Sequence, residues 1–258
     1  MATVLPRSAS ADALRADFEG KGYAVWPSLF DADEMRRITA WVDEIQSWPE
    51  MPGRHWMYFE KSRDEPPQRL LNRIENFVPF HGDLYDLVQS DRLLGLSSRL
   101  LGAPAVLFKD KVNFKLPGGG GFEPHQDVQA GWDVYAKVFL TAMVSIDETT
   151  VENGCLELAE WGHRREMIGQ MWKPLTAEET KGISYRPLPT QPGDTVFFDS
   201  FLPHRSEPNP TGSARRVLYI TYNLLAEGDQ RARYYADKHR NYPQDCEREP
   251  GKVYEFKV

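Results

Sequence analysis

The stretch AVLFKDKVNFKLPGGGGFEPHQD, residues 105–127, marks a change in the character of the chain. Its first twelve residues are a short run rich in β-branched and aromatic residues, and the glycine-rich turn that follows interrupts any regular element. The same grammar recurs downstream in YAKVFLTAMVSI, CLELAEW, ISYRPLP, DTVFFDS and RRVLYITYNLL, separated by VENG, QPGD and PNPTGS. Many short strands with turn punctuation predict a two-sheet jelly roll or barrel over 105–225. The glycine run 118–121 lacks the Gly-Lys-Ser/Thr ending of a phosphate loop and leads into a strand, so it reads as a flexible turn.

Before residue 105 the pattern is mainly helical. SADALRADFEGKGYAVW predicts a short helix from Ala11, closed by Gly20 or Gly22, and then a strand over Tyr23–Trp26. Asp31 and Glu34 form an Asp-x-x-Glu start signal, and Met35, Ile38, Trp41, Val42 and Ile45 then share one helical face. SDRLLGLSSRLLG predicts a further helix with Ser90 or Asp91 as cap and Gly102 as stop. Segment 48–67, dense in proline, charge and aromatics, reads as a surface loop or a lid carrying Trp56, Tyr58 and Phe59. The expectation is one domain over 1–258: a mainly helical part to 104, the strand-rich core to 225, and an extension over 226–258.

Composition narrows the function classes. With 41% hydrophobic and 27% charged residues the chain is of the ordinary globular kind. A net charge of −7 with scattered basic residues argues against nucleic acid and for a small-molecule partner. Apolar runs such as YAVW and VLYI fall far short of the roughly 20 residues of a spanning helix, so no membrane partner is expected. Cys155 and Cys246 are too few for a disulfide framework or a thiolate zinc site, and the first twenty residues lack the apolar core of a signal peptide. The expected setting is cytoplasmic, as a monomer or homodimer.

The chemistry centres on His125 and Asp127. Residues i and i+2 of a strand point to the same face, so the pair offers two metal ligands. His204, 79 residues downstream at the end of another predicted strand, offers the third. Two histidines and a carboxylate with open positions beside them form the facial triad of non-haem iron(II) oxygenases. Each residue alone is a weak signal, and His204 or the His-x-Asp pair could equally be ordinary polar residues. Arg215, eleven residues past His204, strengthens the set. A 2-oxoglutarate-dependent oxygenase must hold the far carboxylate of its co-substrate, which a guanidinium fork suits. Arg216 would face the other side of that strand.

PHQD, ENGCLEL, PGDTVFFDSFLPH and the arginine eleven residues later together resemble the phytanoyl-CoA dioxygenase family of 2-oxoglutarate-dependent oxygenases. The opening LRADFEGKGYAVWPSLFDADEM is similar to that family's helix-strand-helix start. The resemblance implies a double-stranded β-helix core of the jelly-roll, cupin-like kind, iron(II) at His125, Asp127 and His204, and 2-oxoglutarate at Arg215. Asn113 and Ser206 match positions where related enzymes place polar contacts to the co-substrate. It also implies O2 as second co-substrate, and release of succinate and CO2 as a substrate carbon is oxidised. One departure is EWGHR, where the family commonly has Pro-Gly-Ser-His; His163 then reads as structural or rim. His55, His81 and His239 read as ordinary polar residues.

Asp127 favours hydroxylation, desaturation or demethylation over halogenation, because halogenating relatives have a small residue there. For substrate contacts the candidates are Lys109 and Lys111, which share a face with Asn113, together with Gln129, Trp132 and Tyr135. Two lysines turned into a half-closed barrel are costly unless they meet negative charge, which suggests a small anionic or zwitterionic metabolite such as an amino acid or amino-phosphonate. The competing reading makes both lysines solvent-facing and Trp132 a packing aromatic. Two other classes stay open: a metal-dependent hydrolase with the same ligands, and a non-catalytic jelly-roll protein that binds a small ligand.

Overall fold

In a computed structural model, which describes residues 10–254, the core is a pair of antiparallel sheets. Ser10 caps α1 (Ala11–Lys21), and Gly22, at φ 78°, closes it. The chain then enters β1 (Tyr23–Trp26). Asp31 and Glu34 make the expected capping box at the start of α2 (Ala32–Gln46), which buries Met35, Ile38, Val42 and Ile45. Trp41 on the same face is only half-buried.

Segment 48–67 departs from expectation. Part of it is β2 (Trp56–Lys61), which pairs with β3 (Arg69–Glu75) as the edge of the larger sheet. Trp56, Met57 and Tyr58 are buried, so this part is a wall and not a mobile cover. Aromatic and charged residues disguise the strand, because the Arg69 guanidinium lies over the Phe59 ring at 3.4 Å and Arg73 over Tyr58 at 4.2 Å. After α3 (Gly82–Gln89), Ser90 caps a π-helical turn that runs into α4 (Leu96–Leu101), and Gly102 ends it with φ 77°.

The core strands follow as β4 (Ala105–Lys115), β5 (Phe122–His125), β6 (Phe139–Ser145), β7 (Leu156–Ala159), β8 (Tyr185–Leu188), β9 (Thr195–Asp199), β10 (His204–Ser206) and β11 (Arg215–Leu224). The larger sheet has the order β1-β9-β6-β11-β4-β3-β2 and the smaller one β5-β10-β7-β8. This is the two-sheet jelly roll expected from the strand grammar. The four helices pack on the outer face of the larger sheet, in a cluster with Val112, Phe114, Leu218 and Ile220. Between the sheets Met143, Leu156, Leu158, Phe198 and Val217 form an inner cluster. A last helix, α5 (Arg231–Asn241), follows β11 and closes one end with Tyr234 and Tyr235. No helix among the described residues is long and apolar enough to cross a membrane.

Strand alternation turns Lys109, Lys111, Asn113 and Lys115 of β4 inward and Val112 and Phe114 outward. A bulge sets this phase. Tyr222 pairs with Leu107 but Thr221 with Lys109, so Phe108 is the extra residue. Leu107 therefore packs with the helices, while Phe108 packs on Trp132 at 5.3 Å. The glycine run 118–121 is anchored, not flexible. Gly118 N–H donates to Asn209 O (2.9 Å), Asn209 N–H to Gly119 O (3.0 Å), and Gly120 N–H to the Glu60 carboxylate (3.0 Å). A Cβ on Gly121 would lie 2.5 Å from the Ser206 carbonyl oxygen, so this close approach requires glycine.

Candidate active site

His125 ends β5 and His204 begins β10, and the two are direct partners in that ladder. Asp127 is not on the strand; it opens a 3-10 turn (Asp127–Ala130) that folds its carboxylate back toward the histidines. Same-face alternation thus anticipated the contact, but the turn makes it. One ligating atom from each of His125, Asp127 and His204 lies within 4.8 Å of the others. A metal ion fits such a donor set.

Neighbouring carbonyls orient both rings. His125 Nδ1 lies 2.7 Å from Glu123 O and His204 Nδ1 2.9 Å from Leu202 O. A carbonyl only accepts, so each Nδ1 carries the proton and each Nε2 presents its lone pair to the shared point. Burial, and then the neighbouring His204, push His125 down to about 3, so its ring is neutral at pH 7 as a ligand must be. Burial pushes Asp127 up, but His204, Lys111 and His125 outweigh it and the carboxyl lies below its ordinary range.

Arg215, the first residue of β11, is 1% exposed, and its Nε and Nη1 have no hydrogen-bond partner. An uncompensated buried guanidinium is strongly unfavourable, so the arrangement fits an anion held there. Asn113 Oδ1 is likewise buried and unpartnered. Ser206 Oγ accepts from Lys115 Nζ at 2.8 Å, and the same ammonium donates to Gly154 O (3.1 Å) and Glu207 O (2.5 Å). Lys115 continues the Lys109-Lys111-Asn113 face by one more step of two, a signal that could have found it. Arg216 turns outward to Asp147 and Asp43, as alternation requires.

A chamber of about 220 Å³ lies against the triad. Its lining includes Arg73, Glu75, Lys109, Lys111 and Trp132, besides His125 and Asp127. Glu75 is fully buried: it accepts from Arg73 Nε (2.9 Å) and Lys238 Nζ (2.5 Å), with Lys109 Nζ at 3.6 Å. Burial raises Glu75, yet these three cations hold it ionised, well below the usual carboxylate range. Burial, followed by repulsion from Lys109, pushes Lys111 down to about 7. Lys238 is driven well below its ordinary value by burial despite its contact with Glu75. The chamber thus gathers Arg73, Lys109 and Lys111 on one wall. The indole N–H of Trp132 is buried without a partner as well.

Lys109, Lys111 and Trp132 thus sit where expected, whereas Gln129 and Tyr135 do not. Gln129 is spent on structure: its Nε2 donates to Gln170 O and Lys173 O (both 2.9 Å) and its Oε1 accepts from Gln126 N–H (2.8 Å). Tyr135 donates to Asp237 Oδ2 (2.9 Å) and faces a separate cavity beside Tyr234 and Tyr242. Two successive 3-10 turns replace the expected extended chain here, so alternation does not predict facing. Arg73, Glu75 and Lys238 were missed because β3 and α5 show no catalytic pattern of their own. His163 is structural, bonded to Asp199 (3.0 Å) and packed on Phe18. His81 caps α3 and His55 bonds Pro49 O. His239 pairs with Glu247 near the surface.

A facial triad at the mouth of a jelly roll, with a buried arginine eleven residues past its second histidine, defines the class of non-haem iron oxygenases. The family model for Phytanoyl-CoA dioxygenase (PhyH) matches residues 18–217. The chain belongs to this family, and it is a 2-oxoglutarate-dependent non-haem iron dioxygenase using iron(II), 2-oxoglutarate and O2. A 2-aminoethylphosphonate dioxygenase from uncultured bacterium HF130_AEPn_1 is 42% identical, covering 84% of this chain and 83% of the relative. A methylphosphonate hydroxylase from Gimesia maris is 37% identical, covering 86% and 84%. Among solved structures, EctD from S. alaskensis with 2-oxoglutarate and 5-hydroxyectoine superposes with a TM-score of 0.70 at 23% identity, over 87% of this chain and 79% of that one. That likeness concerns the fold.

Proposed function

We propose that this enzyme hydroxylates a small phosphonate, with amino-phosphonates as the preferred class. The observation that carries this reading is the set of donors beside the triad: Arg73, Lys109 and Lys111 line the chamber, together with the Trp132 indole, whose buried N–H has no partner. A phosphonate brings up to two negative charges and three acceptor oxygens, which suit the lysine ammonium groups and the indole N–H. The relatives named for 2-aminoethylphosphonate and methylphosphonate support the same class.

In this reading His125, Asp127 and His204 hold iron(II), and Arg215, Ser206 and Asn113 orient 2-oxoglutarate, with Lys115 keeping Ser206 in place. Once bound, the metal and keto acid supply the oxidising chemistry, with 2-oxoglutarate decarboxylated to succinate. The chain's own part is to bind, orient and shield. Lys109, Lys111 and the Trp132 N–H fix the substrate anion, and the buried walls exclude water. Asp127 occupies the ligand position as a carboxylate, which favours hydroxylation over halogenation. A hydrolase has no use for the buried Arg215 clamp, whose Nε and Nη1 have no partner, and a simple binding module has no use for two histidines with lone pairs turned to one point.

In the same reading the enzyme works in the cytoplasm on a small molecule, as a monomer or homodimer and without nucleic acid. Its two cysteines are free and its basic residues dispersed. The test is a panel of alkylphosphonates, aminoalkylphosphonates and amino acids, scored by succinate formed and hydroxylated product. Product from phosphonates, with KM raised at least tenfold in Lys109→Ala, is the expected result. Coupled turnover of only uncharged or bulky apolar substrates would overturn it.

A further inference from the structure

Resting on the phosphonate reading, we propose that Glu123 is a specificity-determining residue that takes the substrate's ammonium group. Aminoalkylphosphonates are then preferred over alkylphosphonates of the same shape. Three carboxylates line the chamber: Glu75, Asp127 and Glu123. Glu75 is enclosed by Arg73, Lys109 and Lys238, and Asp127 belongs to the triad. The Glu123 carboxylate makes no hydrogen bond or ion pair with any described residue.

The placement of charge on the walls carries the inference. Arg73 and Glu75 come from β3 and Lys109 and Lys111 from β4, all on the larger sheet. Glu123 lies on β5, at the edge of the smaller sheet, two residues before His125, and it lines the chamber beside Phe122 and His125. Its carbonyl holds the His125 ring at 2.7 Å, which ties its position to the triad. The cationic wall and the acidic residue thus belong to opposite sheets. A zwitterion laid between them puts its phosphonate on the lysines and its ammonium toward Glu123, with the connecting methylenes beside His125 and Asp127. Complementary charge at both ends fixes register as well as affinity.

The test compares kcat/KM for 2-aminoethylphosphonate and for ethylphosphonate, which lacks only the amine, in the wild-type enzyme loaded with iron(II) and 2-oxoglutarate and in Glu123→Gln and Glu123→Lys. Glu123 is exposed, so neither substitution disturbs the core. The ratio between the two substrates is expected to fall tenfold or more in Glu123→Gln, mainly through KM of the amine, and further in Glu123→Lys. A tenfold fall corresponds to about 1.4 kcal/mol. A ratio that stays within twofold of wild type, while both phosphonates are turned over, would overturn this inference alone. Absence of turnover of either phosphonate by wild type would overturn the phosphonate reading, and this one with it.

Discussion

His204 stands directly across from His125 in the β5–β10 ladder, with the two ring centroids 4.2 Å apart. The contact depends on both strands keeping register, and the carbonyls of Glu123 and Leu202 then turn the two Nε2 atoms toward Asp127. His204→Ala and Asp127→Ala are each expected to abolish iron(II) binding. An anaerobic titration with iron(II) and 2-oxoglutarate checks this, since the weak visible charge-transfer band of a chelated keto acid should vanish in both. A band of normal strength in either variant would place the metal elsewhere.

Arg215→Ala should leave iron binding intact but weaken 2-oxoglutarate binding. Loss of charge-assisted hydrogen bonds from a buried guanidinium amounts to about 3 kcal/mol, or roughly 100-fold in Kd. Arg215→Lys should restore only part of it, because an ammonium cannot present the planar fork. Titrations of the two variants, read by the same visible band, give the comparison.

Lys115 is expected to make 2-oxoglutarate binding pH-dependent. Burial and then the charge of Arg215 push it from 10.5 down to about 7. The unfolded chain therefore holds a proton that the folded one has lost between those values. Its destabilising effect is full below about pH 7 and is relieved as pH rises toward 10.5. A carboxylate bound at Arg215 favours the charged ammonium, so above pH 7 binding must take up a proton and the affinity for 2-oxoglutarate falls with pH. Calorimetry in two buffers of different ionisation enthalpy should show this uptake at pH 8.5, and Lys115→Met should remove it.

Gly154 sits at φ 74°, and a Cβ there would lie 2.0 Å from the Glu207 carbonyl oxygen and 2.9 Å from Lys115 Nζ. Gly154→Ala must push the Glu207 backbone aside and with it Ser206 and Lys115. A loss of about 2–4 kcal/mol in stability is expected, from left-handed strain and overpacking combined. Denaturant melts measure it, and the 2-oxoglutarate affinity should fall in the fraction that folds.

Gln129 and Gln126 dock the loop around residues 166–173 onto the 3-10 turn that carries Asp127. Gln126 donates to Glu166 O (2.8 Å) and Phe201 O (2.5 Å) and accepts from Ile168 N–H (2.9 Å). Gln129→Ala removes the side-chain donor to the Gln170 and Lys173 carbonyls. Faster hydrogen exchange across 166–173 and a larger share of succinate formed without hydroxylated product are expected. Unchanged exchange in that loop would show that the glutamine does not anchor it.

Much of this protein was legible residue by residue. The run from Ala105 to Lys115 announces a strand because branched and aromatic residues dominate it, and its period of two correctly turned Lys109, Lys111 and Asn113 to one face. Asp31 with Glu34, and Gly102, marked helix ends because capping is a local matter of backbone donors and left-handed glycine. The meeting of His125, Asp127 and His204 and the burial of Arg215 were anticipated because metal chelation and carboxylate clamping would each demand such side chains at strand ends. Segment 48–67 was misread, since a strand whose aromatics are covered by arginines looks like a polar loop.

What the sequence by itself determined, then, is the strand-rich core, the three side chains that come together as a possible metal site and the face on which the lysines lie, all consequences of short-range periodicity and side-chain chemistry. Tertiary structure alone decided what those lysines meet. Glu75 from β3 and Lys238 from α5, 163 residues apart, converge on Lys109 only after the larger sheet has paired and α5 has closed over its end. The 3-10 turns after Asp127 likewise sent Gln129 and Tyr135 away from the chamber, because their facing depends on the loop and helix they pack against and not on the alternation of a strand.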